Sequence, residues 1–300
     1  MARSVEREKR SKHLVEEWVG RVYTLICVGL LVLTIFSMVY FVASKGLSTF
    51  FRDGVNPIDL FTGVKWAPES EPPLFGALPF IVGSFSTSIL AALIAAPLGF
   101  CAAVFIVELM PKFGRKVLQP VIELLAGIPS VVYGFVGLSV IVPFFRDIFP
   151  GQGLGLAAGG VVLSIMILPT ITTIATDALA ALPSGLKEGS YALGSTRWQT
   201  IYRIVLPTTL PALLTGIVLG IARAFGEALA VQMVIGNAPH IPRSLFESAS
   251  TLTSAITLSM GNTIMGTAHN NALWTLALIL LTMTFVFVFI VRWLERRSKV

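Results

Sequence analysis

At 300 residues, with 55% hydrophobic and only 13% charged residues, the chain carries too little charge to coat a soluble surface of its size, since average soluble domains are about 25% charged. The net charge of +6 does not mark a nucleic-acid partner, because the bases flank apolar runs rather than forming a stripe among aromatics. Cys27 and Cys101 both fall inside apolar runs and give no disulfide framework, and three scattered histidines give no zinc-ligand spacing.

The apolar runs read as six membrane-spanning helices, near 22–43, 80–107, 121–145, 154–180, 208–236 and 272–293. A span needs about 20 apolar residues, and only helices or closed barrels satisfy backbone groups in lipid. Residues 1–21 read as a polar N-terminal segment. The first span is too long for a signal-peptide core and no small-x-small cleavage pattern follows it, so it is expected to stay as an anchor. The loop 44–79 is rich in Pro and Gly and carries Asp53, Asp59, Glu69 and Glu71.

Span two holds Ser84, Ser86, Thr87 and Ser88. Such hydroxyls either bond their own helix backbone or line a polar passage; Thr87 is the candidate for the second role. Span three carries Pro129, which removes a backbone hydrogen bond and predicts a kink. Ser130 beside that bend is a second candidate for lining a passage.

The segment 181–207 reads as a helical hairpin. Pro183-Ser184 starts a helix that places Leu186, Gly189, Ser190 and Leu193 on one face. Gly194 suits its C-terminal cap. Thr196 and Gln199 have capping-box spacing and open a second helix, with Trp198, Ile201, Tyr202 and Val205 on one face. On pattern alone this is either a hairpin lying on the bundle or membrane surface, or a docking surface for a partner.

Span five contains Arg223 and Glu227 at i and i+4, predicting one shared helix face. Ionisable groups at membrane depth face a cavity or one another. The pair is therefore either self-compensating or an anion site, in which the planar fork of Arg223 meets oxyanion oxygens and Glu227 holds and tunes it. Gly216 and Gly220 on the same span predict close helix packing. The stretch 245–259, SLFESASTLTSAITL, is apolar enough to lie on the membrane surface or re-enter it. Residues 294–300 close the chain as a polar tail.

Lys and Arg set the orientation. With the N-terminus in the cytoplasm, the segments 1–21, 108–120, 181–207 and 292–300 hold 16 of the 22 basic residues. Both termini are therefore expected in the cytoplasm. No Lys is followed by Ser or Thr, so there is no G-x-x-x-x-G-K-[ST] loop, and no HExxH or G-x-S-x-G occurs. The chain is not expected to be an enzyme.

Glu188-Gly189-Ser190, then Gly194, then Ile204-Val205-Leu206-Pro207 resembles the E-A-A-x-x-x-G…I-x-L-P loop of ABC-importer permeases, with Gly189 and Ser190 replacing two alanines. Arg223-Ala224-Phe225-Gly226-Glu227-Ala228-Leu229-Ala230-Val231 through Gly236-Asn237 resembles the R-A-x-G-E-T-M-A-V…G-N pattern of the phosphate-importer permeases of the PstC type. Ala228 and Leu229 stand where Thr and Met are usual. Residues 126–134 (AGIPSVVYG), 167–170 (ILPT) and 251–253 (TLT) extend the likeness over about 75–295.

The resemblance implies an all-α, six-span, MetI-like permease whose core is 80–293, passing inorganic phosphate by alternating access. It implies Leu186, Glu188, Gly189, Ser190, Leu193 and Gly194 as the ATPase-coupling residues of 181–207; read from the residues themselves, Arg223, Glu227, Ser130 and Thr87 are the candidate pathway residues. Implied partners are a homologous PstA-type permease, a PstB-type ATPase dimer that holds ATP and magnesium, an extracytoplasmic PstS-type binding protein and the lipid bilayer. No cofactor is implied on this chain. Alternatives are a PstA-type subunit, a permease for another oxyanion, and an ion-coupled carrier or channel.

Overall fold

The computed structural model describes residues 2–298, with side chains at 17–290, 292 and 293. Met1 and, from the expected polar tail, Lys299 and Val300 lie outside the described residues. Among the described residues, six helical segments are long and apolar enough to cross a membrane: Glu17–Phe51, Leu78–Leu109, Ser130–Ile148, Leu156–Ala180, Arg197–Phe225 and Ala268–Ile290.

In chain order, α1 (Ala2–Phe51) is followed by a short α2 (Pro57–Thr62) and a two-stranded antiparallel ribbon, β1 (Trp66–Ala67) with β2 (Leu74–Phe75). Then α3 (Leu78–Val104) runs through the bundle and ends in a π-helical turn, Phe105–Leu109. A one-turn α4 (Pro111–Phe113) and a second π-turn lead into α5 (Gln119–Gly127). After a break come α6 (Ser130–Val136) and α7 (Val142–Ile148), joined by a π-turn.

The long α8 (Leu156–Ala180) leads to α9 (Ser184–Ala192) and α10 (Arg197–Thr200). The chain continues through a π-turn, Ile201–Val205, into α11 (Leu206–Phe225). A second break precedes α12 (Leu229–Val234); α13 (Leu252–Ser259) and α14 (Ala268–Ser298) complete the chain.

The centre is α3, α8 and α11. The buried face of α3 is made of small residues, among them Ser84, Ser88, Ala91, Ala95, Gly99 and Ala103. Small residues let membrane helices approach closely, which is where their packing energy comes from. A Cβ on Gly99 would stand 3.0 Å from Ile171 of α8, and one on Gly160 of α8 would stand 2.6 Å from Leu90 of α3. Gly216 and Gly220 of α11 face Ile174 and Ile171 of α8 in the same way, as the GxxxG spacing predicts.

The first span stands apart. From Trp18 to Tyr40 its large apolar side chains are exposed, and α1 meets the bundle only near its C-terminal end, against α14. There Thr275 donates to the Gly46 carbonyl at 2.7 Å, Asn271 donates to Asp53 at 2.9 Å, and Phe41 meets Trp274 edge-on.

Two expected spans differ from the sequence reading. Span three is severed, not only kinked: Ile128 and Pro129 are extended, so α5 and α6 are separate helices. Pro129 has no N–H to donate, and its ring pushes the preceding residue away from helical ψ. Span five stops at Phe225 rather than running to Gly236, and α12 is a separate helix.

Candidate functional site

The helices that follow the two breaks, α6 and α12, pack on each other. A Cβ on Gly134 of α6 would stand 2.9 Å from the Ala230 Cα of α12. At the end of α11 the Gly226 N–H donates to the Arg223 carbonyl and the Glu227 N–H to the Ala224 carbonyl, both at 3.2 Å. These i→i−3 bonds tighten the last turn and stop the helix. Arg223 and Glu227 consequently do not share a helix face, and no carboxylate lies within ion-pair distance of Arg223 among the described residues.

Arg223 is exposed on the surface of the chain. Its Nη1 donates to Thr170 Oγ1 at 3.1 Å, one residue past Pro169 of α8. Tyr133 of α6 lies within reach of the Arg223 charge, and its hydroxyl donates to the Leu125 carbonyl at 2.6 Å across the break in span three. Ser130 is half-buried as the first residue of α6.

Glu227 does different work. Its Oε1 accepts from the Ala230 N–H at 3.1 Å, and its carbonyl accepts from Thr253 Oγ1 at 2.8 Å. A carboxylate that takes an orphan N–H at a helix start is the ordinary way to open a helix; Glu227 thus shapes the break. The stretch 250–254 is buried between this break and α3, with the Leu252 N–H donating to Ser84 Oγ at 2.9 Å. Thr87 is fully buried and donates to the Gly83 carbonyl at 2.6 Å. It packs the interior beside Ser84, Ser88 and Glu227.

The hairpin 181–207 forms as the caps predict. Gly194 has φ +79, and the Ser195 N–H donates to the Ser190 carbonyl at 3.2 Å, which closes α9. Thr196 and Gln199 make both capping-box bonds, at 3.3 and 2.8 Å. Leu186, Glu188, Gly189, Leu193 and Gly194 are exposed, Leu193 at 88%.

Ser190 is the exception on α9. It turns inward to Thr200 at 2.9 Å and is buried. The second predicted face also splits, with Trp198 and Tyr202 outward and Ile201 and Val205 buried. The π-turn over Ile201–Val205 widens the helix, so 3.6-residue spacing no longer decides which side chains share a face.

Glu108, at the end of span two, was not singled out by sequence reasoning. It is buried, forms an ion pair with Lys187 of α9, and its carbonyl accepts from the Arg197 guanidinium of α10. A lone acid at the end of an apolar run is the signal that could have found it.

In the loop 237–251, His240 Nε2 meets Glu247 Oε1 at 3.1 Å and the Arg243 N–H donates to Glu247 Oε2 at 2.7 Å. The Arg243 N–H, followed by the His240 charge, holds the Glu247 carboxyl below the usual carboxylate range. The Glu247 carbonyl accepts from the Leu156 N–H at 3.4 Å, which fastens this loop to the start of α8.

Residues 95–300 match the family model of the binding-protein-dependent transport system inner membrane component. The chain is 52% identical over 292 residues to a probable ABC transporter permease protein, YqgH, of Bacillus subtilis, covering 97% of this chain and 94% of that one. It is 40% identical over 254 residues to the phosphate transport system permease protein PstC of Pasteurella multocida, covering 78% of each. Among solved structures, a bacterial ABC transporter that imports the acidic polysaccharide alginate shares the fold. Its TM-score is 0.63 at 17% identity, over 94% of this chain and 98% of that one. The MetNI methionine ABC transporter gives 0.55 at 23% identity, over 74% and 94%. The six apolar spans are thus those of a multi-pass inner-membrane protein, and the chain belongs to the binding-protein-dependent transport system inner membrane component family, as a permease subunit of an ABC importer.

Proposed function

We propose that this permease passes inorganic phosphate, and that the Arg223 guanidinium meets the anion on its way through. The observation that carries the reading is an arginine in the last turn of an apolar span, exposed on the chain's own surface and held by the hydroxyl of Thr170, with no carboxylate within ion-pair distance among the described residues. Left against lipid, an unpaired arginine is costly, about 2.5–3.5 kcal/mol at the centre of a span on insertion scales and less toward its end. Facing a second permease half across a polar passage, it keeps its hydration and gains a partner. A fork of N–H donors suits a tetrahedral oxyanion. The PstC name of the Pasteurella relative supports phosphate as that oxyanion.

In this reading the second half is a homologous PstA-type permease and a PstS-type protein delivers phosphate outside. A PstB-type ATPase dimer, which alone binds ATP and magnesium, docks on α9 from the cytoplasm. The basic residues gathered at 1–21, 108–120, 181–207 and 292–300 support a cytoplasmic position for that end and for both termini. Glu227 keeps the break open as a helix start and does not compete for Arg223.

The test is ATP-dependent uptake by vesicles carrying the four-part assembly, with phosphate, sulfate and molybdate offered separately. Phosphate is expected to be taken up, and Arg223→Gln is expected to assemble yet import none. Normal import by that variant refutes the role of Arg223; equal uptake of sulfate refutes the substrate.

A further inference from the structure

We infer that Glu108 is a positioning residue that ties the docking hairpin to span two, so that motion of α9 is delivered to the transmembrane core. This rests on the reading of α9 as the ATPase-docking element. Glu108 is 7% exposed and sits in the last turn of the helical run that begins as α3. A carboxylate is poorly placed there, because the C-terminal end of a helix already carries negative partial charge and burial removes water. Two cations offset this, and both come from the hairpin. Lys187 Nζ meets the carboxylate and Arg197 donates to the residue's own carbonyl, across 79 and 89 positions of sequence.

The two cations bracket α9 from its first turn to the start of α10. The faces of α9 are divided accordingly. Lys187 and Ser190, one turn apart, turn toward the protein, where Ser190 pairs with Thr200. Leu186, Gly189 and Leu193 turn away, and a Cβ on Gly189 would meet nothing within 4 Å. One side of the helix is therefore clamped to the end of span two, while the other is open for a partner. Span two is itself packed along its length on α8, so a push on α9 reaches the core through this ion pair.

The experiment uses the four-part assembly in vesicles and reads phosphate taken up per ATP hydrolysed, for wild type, Glu108→Gln, Lys187→Gln and Lys187→Arg. Wild-type uptake in the same vesicles establishes the substrate independently. Glu108→Gln and Lys187→Gln are expected to keep the ATPase subunit bound and to hydrolyse ATP, with uptake per ATP falling by about fivefold or more, the lower range of site-to-site coupling. Lys187→Arg, which keeps the charge, is expected to retain the wild-type ratio. An unchanged ratio in Glu108→Gln overturns the inference, as does an equal fall in Lys187→Arg and Lys187→Gln. Loss of the ATPase subunit from Glu108→Gln also overturns it, since the residue would then only maintain the docking surface. Leu193→Gln separates the two readings: if it binds the ATPase normally, the docking reading falls, and if it loses the ATPase while Glu108→Gln stays coupled, only the role of Glu108 falls.

Discussion

Truncating Leu193 isolates the docking surface from the rest of the molecule. The side chain is 88% exposed at the end of α9, and its N–H is already satisfied by the Gly189 and Ser190 carbonyls. Leu193→Ala therefore removes three carbons that pack on almost nothing in this chain. Once a partner covers them, each buried carbon is worth about 0.8 kcal/mol. With most of the side chain newly buried, the loss is about 2 kcal/mol, which is roughly thirtyfold in affinity. The assay is titration of the purified ATPase subunit onto the permease pair in lipid nanodiscs, with a thermal melt of each variant. The melt is expected to stay unchanged, because an exposed site away from packing shifts stability by only about 0.5 kcal/mol either way. Ile264→Ala, also bare at 78% exposed but at the opposite end of the spans, is the control and should bind as wild type. Wild-type affinity for Leu193→Ala and Leu193→Gln together would refute docking on α9.

Other expectations follow from the same geometry. A Cβ on Gly83 would overlap the Ser250 carbonyl, so Gly83→Val should push the 250–254 stretch off α3 and cost about 1–3 kcal/mol, read as a lower melting midpoint and faster proteolysis of that loop. The Glu247 carboxyl is held below its ordinary value in the folded chain, so its contribution is present above the unfolded pKa and is lost as pH falls through the folded one. Hydrogen-exchange protection at 155–157 and 243–249, taken relative to the intrinsic rate at each pH, should accordingly fall below about pH 4, and Glu247→Gln should remove that dependence. Unchanged protection in acid would count against the anchoring role of Glu247.

The spans were legible because lipid imposes one rule on backbone groups, and long apolar runs have one answer to it. The caps of the hairpin were legible for a similar reason: Pro183, Gly194 and the Thr196–Gln199 pair each act within a turn of themselves. The breaks were harder. Glu227 four residues after Arg223 reads as a helix neighbour until Gly226 ends the helix, and the Glu227 carbonyl freed there is taken by Thr253, 26 residues on. The split of Trp198 and Tyr202 from Ile201 and Val205 follows from a π-turn that side-chain spacing does not encode. Glu108 stayed hidden because its partners lie 79 and 89 residues away.

The solitary first span has a consequence for how the molecule is made. Among the described residues, none before Phe50 enters the hydrophobic clusters of the interior. Those clusters are therefore built by the other five spans and the connecting segments, 55–77 among them, with the first span adding only Phe50 at its C-terminal end. The first span, in turn, waits for Trp274 and Thr275, near the far end of the sequence, before it has anything of its own chain to lean on. Until they emerge it is a mooring, holding the growing chain at the bilayer while the remainder is still being threaded in.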